Sequence, residues 1–337
     1  MKAGKVTQTV YRRSILKQLH IDNATALLVP SQEESCYGIK TTCEEQTIVS
    51  SVSLYGNEKD LCVFAMAKAA NDLAAKGAKV KGFSIQILLP EFAYESRLKM
   101  MIALAKEAAE KEGLQIIEAN AQSVPAIQTT IVHVTALGKA REDALMQCHM
   151  VRPGQDIVQV KWIGLEGALR VKREKEEELK GRFIPVFMDK VEDGKNELFS
   201  LSALETAAAV GVSAMHQIGD GGILAALWEM AESADVGLSV DMRKMAVKQE
   251  TIEVCEYFHL NPYQLTSTGC VLLVTDKGEE LADTLNKNGV PAVVIGHTTE
   301  ENERVIMNGR EKRFMERPAQ DEFARFFAEL NGGQNNG

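Results

Sequence analysis

Met215-His216-Gln217-Ile218-Gly219-Asp220-Gly221-Gly222 runs directly into Ile223-Leu224-Ala225-Ala226-Leu227-Trp228-Glu229-Met230-Ala231-Glu232. The first half offers little to a core: a histidine, an acid and three glycines in its last four residues. The second half is helical, with Ile223, Leu224, Leu227, Trp228 and Ala231 at the spacing of one buried face. A glycine turn therefore opens into a helix N-terminus, where free backbone N–H groups and the positive end of the helix dipole point forward. Glycine lets that backbone approach an anion such as a phosphate. The plainer reading is a tight turn at Gly221-Gly222 with Asp220 as N-cap.

Around that stretch, 337 residues suggest about two domains. Hydrophobic content of 45% and charged content of 25% are ordinary for a globular protein. A net charge of -9 argues against a nucleic-acid partner, which needs basic patches. No apolar run approaches a membrane span, and Met1 to Ile21 lacks the apolar core of a signal peptide. The expectation is a cytoplasmic protein. Its cysteines (Cys36, Cys43, Cys62, Cys148, Cys255 and Cys270) form no CxxC pair and have no zinc-finger spacing, so they are expected to be thiols, several of them buried. Cys36 lies in a polar stretch, where a surface or half-buried thiol is expected and a reactive one conceivable.

The pattern along the chain alternates helix and strand. A short amphipathic segment carries Ile15, Leu16 and Leu19 on one face. Strands are expected at Ala26 to Pro30, Thr47 to Leu54, Val80 to Leu89, Leu114 to Ala119 and Ile127 to Leu137. Helices are expected at Leu61 to Lys76, where Gly77 stops the turn, and at Tyr94 to Glu112. Asn71 and Asp72 sit among alanines late in the first of these helices, facing either a cleft or solvent. Asn120 to Pro125 reads as a polar turn. Arg141 to Asp156, ending in Arg152-Pro153-Gly154-Gln155-Asp156, is the best boundary. Beyond it, strands are expected at Ile157 to Trp162, Phe183 to Met188, Val212 to Met215, Gly237 to Val240, Cys270 to Thr275 and Ala292 to Gly296. Helices are expected at Leu165 to Lys180, Leu201 to Val210, Gln249 to Phe258, Gly278 to Asn288 and Phe323 to Leu330. The Lys172 to Lys180 charge run reads as a solvated face, and Asn308-Gly309 as a hairpin turn. The fold class is α/β (α+β): a domain over 1–150, a second over 151–330, and a disordered tail over 331–337.

Four segments, in order, resemble the AIR synthase superfamily, which includes aminoimidazole ribonucleotide synthase, selenophosphate synthetase, thiamine monophosphate kinase and the hydrogenase maturation protein HypE. They are Asn71-Asp72-Leu73-Ala74 with Gly77-Ala78, Arg152-Pro153-Gly154-Gln155-Asp156, His216 to Ile223, and Ser267-Thr268-Gly269-Cys270. The likeness is to HypE-type and AIR synthase-related proteins. It implies an amino-terminal sheet that pairs across a homodimer, a carboxy-terminal α/β domain, and ATP held with Mg²⁺ by acidic residues while the glycine turn closes over the phosphates. On that resemblance Asp72 is the metal ligand, Asn71, Asn120, Gly221 and Gly222 are nucleotide-binding, and His216 and Asp220 are candidates for catalysis.

The departures from the family pattern are chemical. Thr42-Cys43 and Ala119-Asn120 stand where the family places carboxylates, and Gln217 where it usually has Asp. Mg²⁺ prefers charged oxygen, and a thiol is a poor ligand for it. Glu44, Glu45 and Glu118 are the nearby acids that could substitute. The last cysteine is Cys270, so the tail-thiol chemistry that the resemblance to HypE-type proteins implies is not expected. Two functions compete. One is an ATP-dependent enzyme that activates a carbonyl or carboxylate oxygen of a small-molecule or protein acceptor by phosphorylation. The other is a non-catalytic relative, a nucleotide-binding or assembly partner. A thiol sensor built on Cys36 and Cys43 is a third idea.

Overall fold

The structure, a computed structural model, describes residues 8–14, 17, 26–28, 36–40 and 44–332. By its contacts the described chain divides after Leu145 into an amino-terminal and a carboxy-terminal unit, and helix α1 (Gln8–Ser14) groups with the second. The sequence expects that division at 150 and 151. Ile15, Leu16, Leu19, Cys43 and the tail 333–337 lie outside the described residues.

Alternating side chains build the amino-terminal sheet. Its strands are β1 (Ala26–Leu28), β2 (Tyr37–Ile39), β3 (Glu45–Gly56), β4 (Lys79–Leu89), β5 (Gln115–Ser123) and β6 (Thr130–Arg141), in the order β1-β2-β3-β6-β4-β5. Only β4 and β5 pair in parallel. Along β6, every second residue from Thr130 to Ala140 is buried while Ile131, His133 and Thr135 face the other way. Two helices, α2 (Leu61–Ala75) and α3 (Glu95–Lys111), cover the buried face, with Phe64, Met66, Leu73, Phe83, Ile85, Val132 and Val134 filling the core between. Asn120 belongs to β5 and not to a turn, because parallel pairing with Gln86 extends the strand to Ser123.

In the carboxy-terminal unit the strands are β7 (Asp156–Val160), β8 (Ala214–Gln217), β9 (Gly237–Asp241), β10 (Val271–Thr275), β11 (Ala292–Thr299), β12 (Arg304–Asn308) and β13 (Glu311–Phe314), in the order β13-β12-β9-β11-β7-β10-β8. β10, between β7 and the edge strand β8, is buried at every position, which its Val-Leu-Leu-Val run allows. The helices are α4 (Leu165–Glu174), α5 (Glu176–Arg182), α6 (Pro185–Asp193), α7 (Leu201–Val210), α8 (Gly222–Ala234), α9 (Gln249–Tyr257), α10 (Gly278–Lys287) and α11 (Glu322–Gly332). Ile223, Leu227 and Ala231 of α8 pack into the core against Ile157, Leu238 and Leu272. Trp228 is half-buried, with the Arg304 guanidinium 4.0 Å over its ring.

Three expectations are corrected here. Phe183 to Met188 is not a strand: Pro185 starts α6, and Phe183, extended just before it, stacks on Phe187 of its first turn at 4.2 Å. The expected charged helix breaks at Lys175 into α4 and α5, and Lys172 is buried with Glu192 instead of solvated. Arg173 joins that pair, and the two bases outweigh partial burial to hold the Glu192 carboxyl down at about 2. Finally, Asn331 and Gly332 continue α11 instead of beginning a tail. Among the described residues no helix is long and apolar enough to cross a membrane.

Candidate functional site

His216 lies on β8, opposite Leu272 of β10, and is buried. Its Nδ1 is 3.7 Å from Cys148 Sγ, and its Nε2 is 3.3 Å from Glu229 Oε2 on α8. The imidazole thus ties the strand before the glycine turn to the helix after it. Cys148 sits at the start of a 3₁₀ turn, Cys148–Met150, and nothing in its sequence neighbourhood marks it. Burial alone would lower the His216 pKa. Cys148 and then Glu229 reverse that and raise it to about 10. The folded value lies above the ordinary 6.5, so the charged imidazole stabilises the fold fully below pH 6.5 and loses that contribution as pH rises through about 10. The expected result is a stability gap between wild type and Glu229→Gln that narrows over this window in denaturant titrations. A gap constant with pH would show that His216 is not held charged.

The turn itself needs its glycines. Gly221 and Gly222 have φ of +83° and +66°, and a Cβ on Gly222 would stand 2.5 Å from the Tyr263 carbonyl oxygen. Asp220 is exposed and does not cap α8; Gly221 takes that position, with no side-chain cap within the turn. The Gly221 N–H instead donates to Asp321 Oδ2 at 2.8 Å. Asp321 in turn caps α11, accepting from Phe323 N at 2.9 Å and Ala324 N at 3.2 Å. An acid just before an apolar helical run is the readable half of this arrangement. Its reach to a turn a hundred residues away is not.

In the amino-terminal unit Asn71 and Asp72 are buried, which removes the solvent-exposed reading. Ser50 Oγ of β3 donates to Asp72 Oδ2 at 3.1 Å, so Asp72 lies on the helix-covered face of the sheet. Asn120 lies on the other face. Its Nδ2 donates to Glu118 Oε1 at 2.5 Å, and Ser84 Oγ donates to Glu118 Oε2 at 2.7 Å. Ser50 and Asn120 are separated by three strand spacings, about 14 Å. Glu44 pairs with Arg141 at 3.1 Å and Glu45 with Lys139 at 3.7 Å, so of the three acids that could substitute only Glu118 contacts Asn120. Among the described residues no three His, Cys, Asp or Glu side chains converge to hold a metal ion. Asp72 and Asn120 therefore do not form one Mg²⁺ site within this unit.

Two further motif segments are built into the carboxy-terminal unit. Gln155 Nε2 donates to Ser213 Oγ and Asp276 Oδ1, and Arg152 pairs with Asp276 at 3.0 Å. Ser267 Oγ accepts from Gly164 N and donates to the Leu265 carbonyl. Glu166, wholly buried, accepts from Thr266 Oγ1 and Thr268 N through Oε2, while Oε1 faces Arg170 at 3.5 Å. Cys36, Cys62, Cys148, Cys255 and Cys270 are all buried and none is in a disulfide. Cys36 is therefore not a surface thiol, and the Cys36–Cys43 sensor loses its exposed member. Burial holds the Cys62 and Cys255 thiols up at about 12.

The sequence matches the AIR synthase related protein, N-terminal domain, over residues 28–140 and the C-terminal domain over residues 152–308. It is 25% identical over 320 residues to a putative hydrogenase expression/formation protein of Methanocaldococcus jannaschii, covering 90% of this chain and 91% of the relative. It is 25% identical over 261 residues to carbamoyl dehydratase HypE of Rhodobacter capsulatus, covering 76% and 74%. The fold is similar to that of the hydrogenase maturation protein HypE solved in complex with ATP, with a TM-score of 0.67, 18% identity, and coverage of 95% of this chain and 97% of the other. With both halves matched in order, the chain belongs to the AIR synthase-related family.

Proposed function

We propose that this protein binds ATP as a homodimer and works as a nucleotide-binding or assembly partner, without the acid-bound Mg²⁺ that phosphoryl transfer needs. ATP is supported by the ATP-bound relative of the same fold. The observation that carries the non-catalytic part is the placement of Asp72 and Asn120 on opposite sheet faces. The uncovered face of the amino-terminal sheet, carrying Ser53, His133, Ser84, Glu118 and Asn120, is the surface for a second copy. The buried cysteines without a disulfide suit a cytoplasmic setting.

A second reading is favoured by one contact. Glu118 binds Asn120 directly and returns a carboxylate beside the position where the family has one. In that reading the protein is an ATP-dependent enzyme acting on a carbonyl or carboxylate acceptor. Asn71, Asp72 and Asn120 serve the nucleotide, and His216 moves or holds a proton at the acceptor. Thermal unfolding with ATP, ADP and EDTA separates the two. The non-catalytic reading expects ATP to raise the unfolding temperature equally with Mg²⁺ and with EDTA, and no phosphate release. A shift that needs Mg²⁺, with ATP hydrolysis abolished by Glu118→Gln, overturns it in favour of the enzyme.

A further inference from the structure

Three backbone N–H groups from two helix starts converge on one carboxylate. Gly221, at the head of α8, donates to Asp321 Oδ2 at 2.8 Å, and Phe323 and Ala324, in the first turn of α11, donate to Oδ1 at 2.9 and 3.2 Å. The positive ends of both helices meet there, an arrangement that favours a negative charge over a neutral group. Asp321 is buried, and the chain leading to it passes close over the turn, with the Ala319 carbonyl oxygen 3.8 Å from where a Cβ of Gly221 would stand. The glycine turn is the place where the sequence leads one to expect a ligand's phosphate. We infer that Asp321 is the resident anion of this turn: the seat takes a small oxyanion, and in this protein it is filled from within the chain and closed to phosphate.

The filling is fixed, not a flap. Phe323, Phe326 and Phe327 bury the inner face of α11, the Arg170 guanidinium lies 3.9 Å over the Phe323 ring, and Arg325 donates to the His259 carbonyl at 3.0 Å. Holding Asp321 in place therefore takes no ordering at the moment a ligand arrives. A diffusing phosphate would have to displace a carboxylate already desolvated and bonded on both oxygens. If nucleotide is bound, its phosphates are held elsewhere, but the inference rests on the turn being an anion seat and not on ATP binding.

The test is rescue by small anions, read as unfolding temperature in sodium formate, sulfate or phosphate against sodium chloride at equal ionic strength. Asp321→Ala empties the carboxylate's place, and its lost stability is expected to return saturably with formate or phosphate. Wild type, and Asp321→Asn, whose amide still fills the space, are expected to show no anion-specific rise. If Asp321→Ala does not fold in chloride, refolding yield in formate against chloride gives the same readout, with formate expected to restore it. A response of Asp321→Ala to formate and phosphate no larger than that of wild type overturns the inference, as does saturable phosphate stabilisation of wild type that persists in saturating ATP. Failure of wild type to bind ATP would sink the proposed function and leave this result untouched.

Discussion

Replacing Glu166 with alanine is expected to remove about 3–5 kcal/mol from the stability of the carboxy-terminal unit, the usual cost of leaving one member of a buried ion pair alone. Glu166 and Arg170 are 0% and 3% exposed, one helical turn apart on α4. Glu166 also accepts two hydrogen bonds, from Thr266 Oγ1 and Thr268 N, so its loss strands both donors and removes the carboxylate that faces the Arg170 guanidinium. Glu166→Gln keeps acceptors for the threonines but removes the negative charge that faces Arg170, and is expected to fall between alanine and wild type. The double variant Glu166→Leu/Arg170→Met is expected to recover a large part of the loss, because removing both charges removes the desolvation penalty too. Recovery stays incomplete, since Arg170 also covers the Phe323 ring. Chemical denaturation of the four proteins checks the order. A loss below 1 kcal/mol for Glu166→Ala would mean that the pair is solvated in solution.

These same residues show what a sequence can and cannot announce. Local chemistry is readable where one period dominates: α2 ends at its glycine, α8 follows the glycine turn, and Asn308-Gly309 closes the hairpin of β12 and β13. It fails where two signals compete. Phe183 to Met188 has strand-like composition, yet Pro185 at the first helical position starts a helix there. Asn120 sits in a polar run that reads as a turn until β4 supplies a parallel partner. The short β2 offers three residues in a polar stretch, too few for any period to register. The site is harder still. His216 stands out as part of a motif, but its partner Cys148 is 68 residues away and Asp321 is 100 residues from Gly221. Such pairings are set by the sheet order, which no local window contains. The Lys172 to Lys180 charge run gives no sign that its first lysine is buried against Glu192.

Asp72 decides between the two functional readings by the sign of one effect. A carboxylate near ATP phosphates repels them unless a cation lies between; with Mg²⁺ in place the same carboxylate becomes indispensable. Asp72→Asn changes the charge and little else, because the amide keeps the size of the side chain and can still meet Ser50 Oγ. Under the proposed non-catalytic function, ATP binding to Asp72→Asn is expected to persist in EDTA and to be at least as tight as in wild type. ATP at a hundredfold excess over Kd then adds about 2.7 kcal/mol to the stability of both proteins, a shift of a few degrees in unfolding temperature. Under the enzyme reading, the variant loses the whole of that Mg²⁺-dependent stabilisation. Apparent affinity measured by titration calorimetry, with Mg²⁺ and with EDTA, places wild type and variant in a square of four values. Binding that survives in all four squares supports a nucleotide site that never used Asp72 as a metal ligand. Binding confined to wild type with Mg²⁺ would show that the carboxylate buried against Ser50 turns out to a metal when nucleotide arrives, and the non-catalytic function would be abandoned.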